Sequence, residues 1–104
     1  MLSVNQHDIN LGTLKFGVPH HFKYVITNNY TKDVIINRLV LGCKSCTVAT
    51  IEKNTIKPGE STNINVVFTP GSTGINSKKI SVAHQVDGVF MPSFDVTFKA
   101  MVNG

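Results

Sequence analysis

Residues 58–69 read "PGESTNINVVFT", and the order of these twelve side chains decides the fold class. Pro58 fixes its own φ and Gly59 accepts a positive one, so Lys57-Pro58-Gly59-Glu60 has the chemistry of a tight turn. Alternation begins immediately after it. Thr62, Ile64, Val66 and Phe68 point one way, and Asn63, Asn65 and Thr69 point the other. A period of two belongs to a β-strand with one face on a core.

The same period recurs on both sides of this stretch. Phe94, Val96, Phe98, Ala100 and Val102 form an apolar row opposite Ser93, Asp95, Thr97 and Lys99. Phe22, Tyr24 and Ile26 form a shorter row, as do Ile80 and Val82. Helical spacing is absent from every segment longer than a few residues. Residues 28–33 read as a polar connection, and Thr69–Gly74 as a turn able to join two antiparallel neighbours. An all-β chain of about seven antiparallel strands, closed as an immunoglobulin-like β-sandwich, is the architecture this pattern predicts, with a small barrel as the competing closure.

At 104 residues the chain holds one core, so residues 1–104 are expected to form a single, stand-alone immunoglobulin-like domain. No apolar run approaches the ~20 residues of a membrane-spanning helix, and no membrane insertion is expected. The N-terminus "MLSVNQHDINLG" carries neither a basic leader nor a continuous apolar segment, so no secretion signal is read there and an intracellular or virion location is expected. The net charge of +4 is scattered, with Lys78-Lys79 the one adjacent basic pair. Nucleic-acid binding needs a basic stripe with stacking aromatics and is not expected.

Two segments break the one-sided pattern. In "VIINRLVL", residues 34–41, Val34, Ile36 and Val40 share a face with Arg38, while Ile35, Leu39 and Leu41 share the other with Asn37. Apolar residues on both faces mean burial on both sides or contact with a partner. In "HQVDGVFMPS", residues 84–93, Val86, Val89, Phe90 and Met91 crowd around a hairpin connection at Asp87-Gly88, where polar residues are usual. Phe90 and Met91 either plug the end of the sandwich or form an exposed contact patch. The candidate partner-binding residues are therefore Val89, Phe90, Met91, Ile35 and Leu39.

The densest chemical motif is "GCKSCT", residues 42–47, which holds both cysteines. A structural zinc site wants four ligands, and Cys43 with Cys46 supplies one pair; His7, His20, His21 and His84 would have to provide the rest. His20 and His21 are neighbours on an expected strand, so at most one can join a common site. A reactive Cys-x-x-Cys pair needs a helix N-terminus to lower its thiol pKa, whereas Thr47–Ile51 reads as a strand. In a reducing compartment the two cysteines are expected as thiols, since a bridge across so short a loop would constrain little chain entropy. The motif is read as a turn, with a metal-binding or redox-active module using Cys43 and Cys46 as the alternative.

Nothing catalytic stands out. Asp8, Asp33, Asp87, Asp95, Glu52 and Glu60 are isolated in sequence and mostly adjoin turns, and no phosphate loop or nucleophile elbow occurs. No enzymatic activity, cofactor or small-molecule substrate is expected.

In its order of features the chain resembles the immunoglobulin-like superfamily of Hydin-type ASH domains, sperm-protein-like domains and a bacterial family of unknown function marked by a Ser-Cys-Gly-Cys-Thr turn. The resemblance runs from about Ile9 to Val102. It is carried by Gly12 and Gly17, Phe22 and Asn28, Cys46-Thr47, Ile56 with Pro58-Gly59-Glu60, Val66 and Phe68, Pro70 and Gly74, and Lys79 with Ile80 and Val82. The bacterial turn has one residue between its cysteines where this chain has two, so Cys46 matches and Cys43 is shifted by one position. The resemblance implies a scaffold or adaptor domain without general catalytic activity. The combined expectation is a non-catalytic protein-interaction or structural module. It would bind a protein partner, by self-association or within a larger assembly, as a virion decoration or tail accessory protein or an intracellular adaptor.

Overall fold

The computed structural model describes residues 1–42 and 45–104. Ten strands are present among them: β1 (Leu2–Val4), β2 (Asp8–Lys15), β3 (His20–Asn28), β4 (Val34–Leu41), β5 (Thr47–Ile51), β6 (Thr55–Ile56), β7 (Ser61–Phe68), β8 (Gly74–Val86), β9 (Val89–Phe90) and β10 (Phe94–Asn103). They form two sheets, one ordered β1-β3-β7-β5 and the other β2-β10-β8-β4-β6, with β9 also paired to β8. The immunoglobulin-like sandwich is thus present. It departs from an all-antiparallel plan at one edge, where β2 runs parallel to β10.

Alternation puts one face of each strand into the shared core. On β7, Thr62, Ile64, Val66 and Phe68 are all buried, and on β10 so are Val96, Phe98, Ala100 and Val102. Phe22 stacks edge-on against Tyr24 and Phe98 at ring separations of 5.7 and 5.0 Å, and Phe68 meets Phe98 at 5.1 Å. Such edge-to-face contacts join the two sheets through aromatic rings rather than aliphatic chains alone.

The connections follow the sandwich rather than a meander. β7 and β8 lie in different sheets, so residues 69–74 carry the chain across the core instead of closing a hairpin between neighbours. The connection from β3 to β4 crosses as well, and so does the cysteine-bearing bend from β4 to β5. At the turn before β7, the Glu60 amide bonds the Lys57 carbonyl at 2.9 Å and Gly59 has φ +81°, as the Pro-Gly pair demands. Asn28, fully buried at the end of β3, ties three segments together. Its Nδ2 donates to the Lys32 and Ile56 carbonyls at 2.9 and 2.8 Å, and its Oδ1 accepts from the Tyr30 amide at 2.8 Å.

The two-sided strand at residues 34–41 has a specific geometric cause. Pairing of β4 with β8 shifts between Ile36 and Arg38, a β-bulge at Asn37. The extra residue reverses the phase of the alternation. Val34 and Ile36 face the core before the bulge, and Leu39 and Leu41 pack against it afterwards. Leu39, expected on a partner-binding face, therefore belongs to the core side, and Val40 takes the exposed position.

Candidate functional site

The hairpin joining β8 to β9 places the loop residues singled out in the sequence. Asp87 has φ +50° and Gly88 φ +78°, the pair of positive values that a two-residue type I′ connection requires. Val86 then pairs with Val89, and Gln85 with Phe90. On its other edge β8 pairs Gln85 with Ile35, and Ile35 pairs with Thr55 of β6. Directly opposed residues present their side chains to the same face of a sheet. Thr55, Ile35, Gln85 and Phe90 thus form one rung across four strands, turned away from the core.

Phe90 is 74% exposed and Ile35 39%, whereas Val89, 61% exposed, opposes the buried Val86 and so lies on the other face of the hairpin. Two large apolar side chains flanking a half-buried Gln85 make a continuous outer strip at one end of the sandwich. Met91 separates from this strip. It packs against the core, and its amide bonds the His84 carbonyl at 3.1 Å. Of the two alternatives for this loop, Phe90 takes the exposed role and Met91 the plug.

A second outward apolar pair escaped the sequence reading. Ile75 and Met101 oppose one another on β8 and β10, 77% and 45% exposed, beside a groove of about 370 Å³ that Asn10, Gly12, Thr13 and Lys99 also line. The signal was present: Met101 is the apolar exception in the outward row Asp95, Thr97, Lys99.

Cys46 is disulfide-bonded, which corrects the expectation of thiols. The entropy argument bears on how much a bridge stabilises the fold, not on whether one forms. A sulfur held in a disulfide is neither a thiolate nucleophile nor a thiolate ligand. Cys43 lies outside the described residues. No helix follows the bend, since Thr47 begins β5 directly. His20 and His21 point to opposite faces, one half-buried and one exposed. Among the described residues no group of three or more His, Cys, Asp and Glu side chains is placed to hold a metal ion.

Four carboxylates, Glu52, Glu60, Asp8 and Asp95, are engaged one by one. Glu52 accepts from Asn63 and Asn65 at 3.0 Å each, and these bonds, Asn65 first, lower its pKa. Glu60 accepts from the Lys53 ammonium at 3.1 Å and from the Lys57 amide at 3.2 Å, which lower its pKa likewise. Asp8 accepts from the Thr97 hydroxyl, and Asp95 lies 4.0 Å from Lys79. No helix of the described residues is long and apolar enough to cross a membrane.

Solved structures share this architecture. A protein of unknown function from Porphyromonas gingivalis W83 superposes with a TM-score of 0.81 at 18% identity, over 96% of this chain and 46% of its own. This chain thus spans less than half the length of that protein. The human CEP192 domain described as ASH or PapD-like matches with a TM-score of 0.78 at 11% identity, over 98% of this chain and 84% of its own. A Caenorhabditis elegans member of the MSP family, WR4, matches at 0.69 and 9% identity, over 99% and 98%. No curated protein matches in sequence. The fold is therefore the ASH and sperm-protein-like form of the immunoglobulin sandwich. Over residues 2–102 the chain matches the family described as protein of unknown function DUF1573, and it belongs to that family.

Proposed function

We propose that the protein is a non-catalytic interaction module that docks a protein partner through the outer rung of Ile35, Gln85 and Phe90. The observation that carries this reading is the exposure of Phe90 and Ile35 on one face of one rung. A rigid sheet holds the two side chains in fixed register, so burying them needs no ordering of a flexible loop. An aromatic beside an aliphatic, with a central amide that can hydrogen-bond, is the composition of an interface anchor. Glu52, Glu60, Asp8 and Asp95 are paired with amides, a hydroxyl or an ammonium, which fits a solubilising and turn-forming role better than acid and base chemistry.

The fold is compatible with this role, being shared with domains described as ASH or PapD-like and with an MSP family member. In this reading the module is part of a larger assembly, as a virion decoration or tail accessory protein or as an adaptor inside a cell. Site-specific photo-crosslinking tests it. A benzophenone side chain placed at Phe90 is expected to give one discrete adduct in the native host, and the same group at Ile75, at the opposite end of the sheet, none. Equal labelling from both positions, or none from Phe90, removes the proposal.

A further inference from the structure

β10 breaks away from β8 below Phe94, and the detour through residues 91–93 leaves a pocket of about 380 Å³ at the end of the sandwich. Met1, His7, His84 and Met91 line it, together with Tyr30 and Phe94. Two histidines and two methionines are thus gathered around one pocket, and no carboxylate or lysine side chain lines it.

The strand pairing brings the central two together. The Met91 amide bonds the His84 carbonyl, so the two residues oppose one another across β8, both on the core side. Directly opposed side chains of an antiparallel pair start about 5 Å apart at Cβ. His7 enters from the segment before β2, its ring stacked on Phe94 at 5.1 Å. His84 is 3% exposed and its Nδ1 lies 3.2 Å from the Val82 carbonyl. That bond assigns the ring proton to Nδ1 and leaves Nε2 as a lone-pair donor, the arrangement in which metal-ligating histidines are oriented by a backbone carbonyl. No hydrogen bond reaches Nε2, yet no buried side-chain nitrogen or oxygen is unsatisfied among the described residues. The small exposure of His84 therefore falls at Nε2, which opens toward the pocket.

We propose that this pocket binds a soft monovalent metal ion, Cu(I), through His84 Nε2, the Met91 thioether and the His7 imidazole, with Met1 at the mouth. Thioether and imidazole donors select Cu(I), whereas calcium, magnesium and manganese want carboxylate oxygens, which no side chain of this lining supplies. A single positive charge is also the least costly to bring into a cavity with no anion to balance it. The site is separate from the cysteine bend and from the outer rung.

The test is an anaerobic competition for Cu(I) against bathocuproine disulfonate, using the whole chain. One equivalent is expected to bind, and binding is expected to survive the Cys43→Ser/Cys46→Ser double change. Met91→Leu keeps the side chain's volume, and it should weaken binding by at least the ~10-fold that loss of a mere supporting partner costs a metal site. As a readout free of any variant, titration with Ag(I) should shift the NMR signals of the Met91 methyl and the His84 ring. Failure to compete with the chelator, binding that is lost with the cysteines but kept in Met91→Leu, or Met91 and His84 signals that stay still under Ag(I) would each overturn the proposal.

Discussion

The hydroxyl of Tyr24, on β3 of one sheet, donates a 2.6 Å hydrogen bond to the carbonyl of Thr97, on β10 of the other. This polar cross-tie joins the two sheets through the core, and it explains why a tyrosine stands where a phenylalanine would fill the space. Burial, and after it the nearby Asp8 carboxylate, raise the ionisation of Tyr24 well above the usual tyrosine range.

Tyr24→Phe should cost about 1–2 kcal/mol, because it leaves the Thr97 carbonyl without this donor. The same substitution should flatten the alkaline limb of stability. The folded state holds the Tyr24 proton more tightly than the unfolded state, so as pH rises past about 10 the unfolded chain ionises first and stability falls. Urea unfolding of both proteins between pH 8 and 11 checks the sign; an equally steep loss in Tyr24→Phe would locate the alkaline sensitivity elsewhere.

Asn28 fills three hydrogen-bonding roles in a fully buried position. Asn28→Asp replaces the donor with a charged acceptor facing two carbonyls, so at neutral pH a loss of roughly 3 kcal/mol or more is expected. Acidification should return part of it, since a protonated carboxyl can donate to one of the two. Chemical denaturation at pH 7 and pH 4 measures both the loss and the recovery.

The bulge at Asn37 predicts opposite fates for adjacent residues. Leu39→Ala should cost about 2 kcal/mol, the low end for a leucine packed against a core. Val40→Ala should stay within about 0.5 kcal/mol, as surface changes do. The sequence pattern alone put Leu39 outside with Ile35, so equal effects at the two positions would argue against the register of β4.

Glu52 and Glu60 have pKa values lowered by their hydrogen bonds, and their contribution to stability is full above the unfolded value of 4.5. As pH falls below that value the unfolded chain takes up protons before the folded one, and stability declines. Both groups are exposed, so the effect is small and screened by salt. Glu60→Gln should shallow the slope of stability against pH between 5 and 3, and added salt should have less effect on this variant than on the parent.

How far the sequence could be read differs by feature. The inward rows on β7 and β10 were legible because alternation over eight or more residues has no other physical origin. The turn at Pro58-Gly59 and the hairpin at Asp87-Gly88 were legible because their backbone angles restrict which residues fit. The phase reversal on β4 was not, since Asn37 carries no mark distinguishing a bulged residue from a paired one. Nor were the parallel course of β2 or the crossing of residues 69–74 between sheets, which depend on contacts distant in sequence, while the bridge at Cys46 went unread because a chain-entropy argument does not decide whether two nearby sulfurs are oxidised. For the candidate surface, apolar excess picked out the loop at residues 89–91. Only the register of β8 with β4 joins Phe90 to Ile35, and only packing separates Phe90 from Met91.

The central claim is that the rung of Ile35 and Phe90 serves docking and not folding. The most direct measurement is the Ile35→Ser/Phe90→Ser double variant, compared with the parent for thermal unfolding and for co-purification of its partner from the native host. The midpoint should move by no more than about 4 °C, in keeping with two exposed positions, while the partner is lost. A midpoint lowered well beyond that, with the partner still retained, would show these residues to be part of the core's cover.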